Sequence, residues 1–179
     1  MRKRIEIWIC GVGGQGVVFA ANLLGQAASR QYSYVAATAH YGPESRGSST
    51  STELVISSAK GIDYPYIQSP SILVLMHQKA YDYIEQHPEA FTNSPDYIIY
   101  DSTLVSKPEI YKNSKISVIG VPATAIARDK FDNIVMANLI LVGKLVQVTG
   151  IVKKNSLLRF VKADKSGSRQ ALEIGLLFQ

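Results

Sequence analysis

An apolar run followed by closely spaced glycines constrains this chain more than any other stretch. Residues 4–10, RIEIWIC, are typical of a buried strand, and Gly11, Gly13 and Gly16 follow with G-x-G-x-x-G spacing. Residues 14–30 then carry apolar side chains at helical spacing. Strand, glycine turn and helix form the context in which this spacing predicts a close approach of ligand to backbone. The free N–H groups at the start of such a helix suit a phosphate.

A dinucleotide site needs more than these glycines. It requires an acidic residue about 20 positions further on, at the end of the second strand, to bind the ribose hydroxyls. Here the second apolar stretch, residues 32–39, continues into the sequence ATAHY (37–41), which contains no Asp or Glu. Glu44 lies farther on, beyond Pro43. The glycines therefore indicate a strand, a turn and a helix that suits a phosphate, but not NAD. Glycines required only for tight helix–sheet packing remain the alternative.

The rest of the chain alternates strand-like and helix-like patterns. The predicted strands are 4–10, 32–39, 49–57 (half-exposed), 71–76, 96–101 and 115–121, and the predicted helices are 14–30, 79–91 (ending near Pro88), 132–149, 154–162 and 168–177. Strands interleaved with helices predict an α/β fold, a three-layer Rossmann-like domain with a mostly parallel sheet. With 179 residues the chain suits one such domain, residues 1–179, with the glycine turn at the carboxyl edge of the first strand.

Composition narrows the functional classes. The single cysteine, Cys10, excludes an intrachain disulfide and any metal or iron–sulfur site built from cysteines alone, and it favours a reducing, cytoplasmic setting. The apolar segment 134–152 contains Asn138, Lys144 and Gln147, which favours a buried helix over a membrane span. Glu6 and the glycines interrupt the apolar start of the chain, which argues against a signal peptide.

The net charge of +5 is concentrated in residues 128–179. This excess favours a solvated helical face, or a surface that meets an acidic partner, over a nucleic-acid site. His40, His77 and His87 are scattered, and no pair has metal-ligand spacing. Asp101 ends a predicted strand and is more typical of a structural group than of a catalytic one. All ten tyrosines lie between residues 32 and 111, a concentration that suits both an interface and the core.

A second informative stretch, AHYGPESRGSSTS, spans residues 39–51. Its glycines and proline predict a loop, and a loop after the second strand should lie at the carboxyl edge of the sheet, beside the glycine turn. Arg46 is suited to bind a phosphate or carboxylate through two hydrogen bonds. The alternative is that Glu44 and Arg46 pair within the loop or with another subunit.

Taken together, GVGGQGVVFAANLLGQAA at 11–28 and YGPESRGSS at 41–49 resemble the gamma subunit, or gamma domain, of the 2-oxoacid:ferredoxin oxidoreductases. These include the pyruvate, 2-oxoglutarate, 2-oxoisovalerate and indolepyruvate enzymes. Later segments fit the same family, so the resemblance covers nearly the whole chain. They are KGIDYPYI (60–67), VPATAIA (121–127) and NIVMANLILVGKLVQVTGIV (133–152).

The resemblance implies a non-catalytic part of a larger enzyme. The family converts a 2-oxoacid, coenzyme A and oxidised ferredoxin to acyl-CoA, carbon dioxide and reduced ferredoxin. Thiamine diphosphate, magnesium and the iron–sulfur clusters are expected on alpha, beta and sometimes delta partner subunits. This chain is then expected to act in assembly, to hold no catalytic residue and no metal, to bind no cofactor tightly and no nucleic acid or membrane, and to self-associate through an apolar surface.

The resemblance also suggests that this chain helps to hold coenzyme A. The expected cofactor-binding residues are Gly11, Gly13, Gly14, Gln15, Gly16, Glu44 and Arg46. In this hypothesis the glycines expose backbone N–H groups and Gln15 adds an amide contact. Arg46 supplies a positive charge that Glu44 orients. The alternative functions are a stand-alone nucleotide-binding oxidoreductase and a regulatory module.

Overall fold

The computed structural model describes residues 4–42, 49–58, 64–87, 93–109, 115–161 and 167–179. The strands are β1 (Arg4–Val12), β2 (Tyr34–Tyr41), β3 (Ser49–Ser57), β4 (Ile72–Leu75), β5 (Tyr97–Asp101) and β6 (Ser117–Val121). The helices are α1 (Val17–Ala28), α2 (Gln78–Gln86), α3 (Ala123–Phe131), α4 (Ala137–Thr149), α5 (Lys154–Leu158) and α6 (Ser168–Leu177), with a short 3-10 turn at Ile134–Met136.

All six strands form one sheet in the order β2-β3-β1-β4-β5-β6. Strands β1, β4, β5 and β6 pair in parallel, whereas β3 is antiparallel to both of its neighbours, so β2 runs in the same direction as β1. The predicted α/β fold with a mostly parallel sheet is confirmed. Strand β3 opposes the others because the connection from Tyr41 to Ser49 is too short for a parallel crossover and allows only a hairpin.

The two faces of the sheet carry cores of different size. Ile7, Ile9 and Leu54 belong to the larger core, and we call their side of the sheet the large-core face. Helix α1 packs there on β1, β2 and β3, and α4 packs on β5. Leu73 and Leu75 point to the opposite, small-core face, where α2 packs on β1 and β4. Among the described residues, the large-core face is therefore the better covered of the two.

Helix α4 is buried over most of its length and packs closely against α6. A Cβ atom on Gly175 would overlap the carbonyl oxygen of Ile140, and one on Gly143 would overlap that of Leu172. These glycines thus allow the two helix backbones to touch. Lys144 lies in the same buried helix and donates from Nζ to the Phe178 carbonyl oxygen at 2.9 Å. Among the described residues no helix is both long and apolar enough to cross a membrane.

Several predicted boundaries shift for identifiable reasons. The first helix begins at Val17 instead of residue 14, because Gly14 and Gly16 adopt φ values of 93° and 74° that a right-handed helix excludes. Strand β1 extends to Val12, since β3 pairs with it along its whole length. The half-exposed pattern expected for 49–57 holds only in its first part, because residues 54–57 of β3 are buried on both faces of the sheet.

Other elements also end earlier or later than predicted. The second strand is shifted to Tyr34–Tyr41, and the helix predicted to end near Pro88 ends at Gln86. The helix predicted over 154–162 ends at Leu158, and the one predicted over 132–149 starts as a 3-10 turn.

Candidate functional site

The glycine turn joins β1 to α1 at the carboxyl edge of β1, as predicted. The backbone N–H of Gln15 donates to the Val12 carbonyl oxygen at 3.2 Å and closes the turn. Gly16 precedes the first helical residue, and among the described residues no side chain caps the start of α1. The first N–H groups of a helix have no partner within the helix. At this turn they are available to a ligand or to a partner protein.

The side chain of Gln15 ties two strand ends together. Its Oε1 accepts from the Val12 N–H at 2.9 Å, and its Nε2 donates to the Met76 carbonyl oxygen at 2.9 Å. Gly11 makes room for this arrangement, since a Cβ atom there would lie 2.6 Å from Oε1 of Gln15 and 2.9 Å from Cγ2 of Val17. The amide therefore bridges the carboxyl ends of β1 and β4, and Gly11 contributes by leaving space.

Asn138 of α4 supports the turn from the other side. Its Nδ2 donates to the Gln15 carbonyl oxygen at 3.1 Å, and a Cβ atom on Gly16 would overlap Nδ2. The residue is 2% exposed, and its Oδ1 has no hydrogen-bond partner among the described residues. Sequence reasoning treated Asn138 only as an argument against a membrane span. The available signal was a polar side chain inside an apolar helix.

A cavity of about 470 Å³ opens over the turn on the side of β2 and β3. Glycines of the turn and large side chains line it together. Phe19 is 52% exposed and Tyr41 is 71% exposed. The lining includes Gly13, Gly14, Gly16, Phe19, Tyr41 and Val135. A lining that combines glycine backbone with large apolar side chains suits a ligand, or a protein segment, that has both polar and apolar parts.

A second cavity of about 420 Å³ lies beyond the ends of β1, β4 and β5 and includes His77, Asp101 and Arg128. His77 caps α2 by accepting from the Lys79 N–H at 3.2 Å. Asp101 is buried and accepts at Oδ2 from the N–H and hydroxyl of Thr124, at 3.0 and 2.6 Å. Both polar residues at these strand ends therefore stabilise helix starts, which agrees with the structural role expected for Asp101.

The surroundings of Cys10 and His40 indicate structural roles for both residues. Cys10 is buried, and burial, followed by the charge of Glu53, raises the pKa of its thiol well above the usual value. Such a thiol stays protonated and unreactive. His40 lies on the exposed side of β2, with Nε2 3.1 Å from Oε1 of Glu53. The described residues contain no group of three or more His, Cys, Asp or Glu side chains that could hold a metal.

Glu44 and Arg46 lie outside the described residues. The residues on either side of their loop are close together, since the Gly42 N–H donates to the Ser49 carbonyl oxygen at 2.8 Å. Gly42 also lines the cavity over the glycine turn. The loop therefore starts beside the turn, and the contacts of Glu44 and Arg46 stay a prediction.

Known proteins share this fold and sequence pattern. A family model described as pyruvate ferredoxin/flavodoxin oxidoreductase matches residues 6–176. The 2-oxoglutarate synthase subunit KorC of Methanothermobacter marburgensis is 41% identical over 85% of this chain and 80% of its own length. The pyruvate/ketoisovalerate oxidoreductases common subunit gamma of Thermococcus kodakarensis is 29% identical over 92% of this chain and 88% of its own length.

Solved structures agree on the fold. The gamma subunit of keto/oxoacid ferredoxin oxidoreductase from Geobacter sulfurreducens superposes with a TM-score of 0.74 at 24% identity, covering 96% of this chain and 95% of that one. The 2-oxoglutarate:ferredoxin oxidoreductase from Magnetococcus marinus, solved with 2-oxoglutarate, coenzyme A and succinyl-CoA, superposes with a TM-score of 0.80 at 17% identity. The match covers 98% of this chain but 31% of that longer chain.

Proposed function

Because the chain belongs to the pyruvate ferredoxin/flavodoxin oxidoreductase family, we propose that it is the gamma subunit of a 2-oxoacid:ferredoxin oxidoreductase and is inactive alone. The observation that carries this proposal is the family match over residues 6–176, together with the gamma-subunit relatives. The complex performs the oxidative decarboxylation to acyl-CoA, with thiamine diphosphate, magnesium and iron–sulfur clusters on alpha, beta or delta partners. Its place is the cytoplasm, which suits a chain whose single cysteine is a free thiol.

The crevice between β1 and β4 argues against a stand-alone nucleotide enzyme. Doubly wound proteins bind dinucleotides outside the carboxyl ends of the strands, at the point where the strand order reverses. Here that point lies between β1 and β4. The side chain of Gln15 bridges the two strands there, from the Val12 N–H to the Met76 carbonyl oxygen. With no acidic residue at the end of β2, this bridge supports the subunit function over nucleotide-dependent catalysis.

We take 2-oxoglutarate as the substrate of the complex. The relatives named 2-oxoglutarate synthase subunit KorC share 30–41% identity with this chain. The pyruvate/ketoisovalerate gamma subunits share 29%. This difference in identity supports 2-oxoglutarate as the oxoacid, although the groups that select it belong to the partner subunits.

The cavity over the glycine turn is our proposed contact with coenzyme A. Gly13, Gly14 and Gly16 would present backbone N–H groups to its phosphates or amides, and the apolar part of the lining, which includes Phe19, fits its pantetheine chain or adenine ring. Gln15 donates one amide hydrogen to the Met76 carbonyl oxygen, which leaves its second amide hydrogen for the ligand. Arg46 would supply the positive charge, and Glu44 would orient it. The coenzyme A bound in the Magnetococcus marinus enzyme supports this proposal.

Purification of the native complex without oxygen tests the proposed function. The complex that contains this chain is expected to reduce ferredoxin, or a dye, with 2-oxoglutarate and coenzyme A, and to do so faster than with pyruvate or 2-oxoisovalerate. The purified chain alone is expected to show no turnover with any of the three. Turnover by the chain alone would overturn the subunit function, and a preference for pyruvate would overturn only the choice of substrate.

A further inference from the structure

Strand β2 forms an edge of the sheet, and its own sequence carries none of the residues that usually protect an edge. Its sequence from Tyr34 to Tyr41, YVAATAHY, contains no proline, lysine, arginine or acidic residue, and it pairs with β3 on one side only. Its single titratable imidazole, His40, is held by Glu53. In the part of the chain that the structure describes, nothing hydrogen-bonds to its outer side. Exposed edges of this length and composition readily pair with another strand.

The register of the β2–β3 hairpin shows which backbone groups point outward. The Gly42 N–H donates to the Ser49 carbonyl oxygen, and the same register runs from Tyr41 opposite Thr50 to Tyr34 opposite Ser57. Hydrogen-bonded pairs alternate along an antiparallel ladder. The even-numbered residues of β2 therefore face β3. The odd-numbered ones direct their N–H and C=O groups away from the sheet, and they are Val35, Ala37, Ala39 and Tyr41.

These outward groups are complementary to themselves. A two-fold axis through Thr38 places Val35 opposite Tyr41 of a second copy and Ala37 opposite Ala39. Every outward N–H group then faces a C=O group of the second copy. Each pair joins two odd-numbered or two even-numbered residues, so the side chains on one face of the first copy continue on the same face of the second. We propose that two copies of this chain pair antiparallel through β2 about this axis and form one continuous sheet.

The side chains of β2 favour a second copy as the occupant of this edge. Thr38 meets Thr38, a pair that can hydrogen-bond across strands. His40 faces Ala36 of the second copy, so the pairing opposes no like charges. Homodimers with two-fold symmetry need such a self-complementary patch, whereas an unlike partner does not. Within β2, Tyr41 alone also lines the cavity over the glycine turn. The pairing involves no catalytic step, and it stands independently of the proposed function.

Disulfide trapping tests the register directly. Across the axis the two Thr38 Cα atoms would lie about 4.5 Å apart, within the range of a disulfide. Ala36 and its copy would be offset by roughly 13 Å along the strands, beyond that range. Mild oxidation should cross-link the Thr38→Cys variant and leave the Ala36→Cys variant monomeric on a non-reducing gel. The parent protein is the background control, since its only cysteine, Cys10, is buried.

Sedimentation equilibrium provides a second measurement. Thr38→Lys places two ammonium groups against each other at the axis and is expected to raise the dimer dissociation constant by roughly tenfold or more, while Thr38→Val leaves it close to that of the parent. A parent protein that stays monomeric at all concentrations would overturn the proposal. Equal disulfide cross-linking of the Ala36→Cys and Thr38→Cys variants would overturn it too. So would a native complex in which the Thr38→Cys variant forms a disulfide only with a different subunit.

Discussion

The Nε2 atom of Gln15 donates to the carbonyl oxygen of Met76 at 2.9 Å, and this one contact joins the glycine turn to the end of β4. The two residues are 61 positions apart in the sequence. The same amide accepts from the Val12 N–H. One side chain therefore bridges the carboxyl ends of β1 and β4, beside the backbone bond from the Met76 N–H to the Cys10 carbonyl oxygen at 2.8 Å.

Replacement of Gln15 by leucine should destabilise the protein. The substitution leaves the Val12 N–H and the Met76 carbonyl oxygen without their side-chain partner, and an unsatisfied buried group costs about 1–3 kcal/mol. We expect the free energy of unfolding, measured with urea, to fall by about 2 kcal/mol or more. Gln26→Leu is the matched control, because Gln26 is exposed on α1. Equal urea midpoints for the two variants would contradict this role of Gln15.

The crossing of α4 and α6 should reject a single added methyl group. Gly175→Ala would drive its Cβ into the Ile140 carbonyl oxygen, and overpacking of this kind costs about 1–3 kcal/mol. Gly25→Ala is the control, because a Cβ there would meet Leu54 and Val35 at ordinary distances of 3.4 and 3.5 Å. Since alanine favours helix, the control should be neutral or stabilising by up to about 1 kcal/mol. Thermal unfolding measures both, and a Gly175→Ala variant as stable as Gly25→Ala would contradict the close crossing.

The buried thiol of Cys10 should make stability depend on alkaline pH. Burial raises its pKa in the folded state well above the ordinary value, so the folded protein holds this proton more tightly than the unfolded chain does. The stabilisation is complete below the unfolded pKa of about 8.5 and is lost as pH rises above it, at up to about 1.4 kcal/mol per pH unit. Urea unfolding from pH 7 to 10 should show a steeper decline for the parent than for Cys10→Ala. Parallel curves for the two proteins would show that the thiol does not contribute.

The proposed coenzyme A contact of Arg46 can be tested in the assembled complex. Loss of a charge-assisted hydrogen bond, about 1.5–3 kcal/mol, should raise the KM for coenzyme A by roughly 10- to 150-fold in Arg46→Ala. The control is Arg30→Ala, because Arg30 lies at the far end of α1, over the ring of Phe160. Size-exclusion chromatography shows whether the complex stays intact. An intact Arg46→Ala complex with unchanged coenzyme A kinetics would refute the contact, and dissociation would favour an interface at this loop.

The local pattern of the sequence was enough to predict most elements. The bounds of β3 and α6 match the predicted 49–57 and 168–177. Side-chain direction repeats every two residues in a strand and every 3.6 residues in a helix, so the order of polar and apolar residues along the chain indicates both elements. The glycine spacing predicted the turn, since Gly14 and Gly16 adopt backbone angles that other residues avoid. The family resemblance of the glycine turn and the loop after β2 was also readable from the sequence, and the family match confirms it.

Only the tertiary structure decided what the glycine turn contacts. The partner of Gln15 on β4 depends on β4 lying beside β1, and the contact of Asn138 depends on α4 crossing the start of α1. The order of the strands and the crossing of the helices depend on which apolar faces, far apart in the sequence, are buried against each other. The spacing of residues within one element does not determine that choice. The placement of β3 between β2 and β1, which leaves β2 as an edge, was decided in the same way.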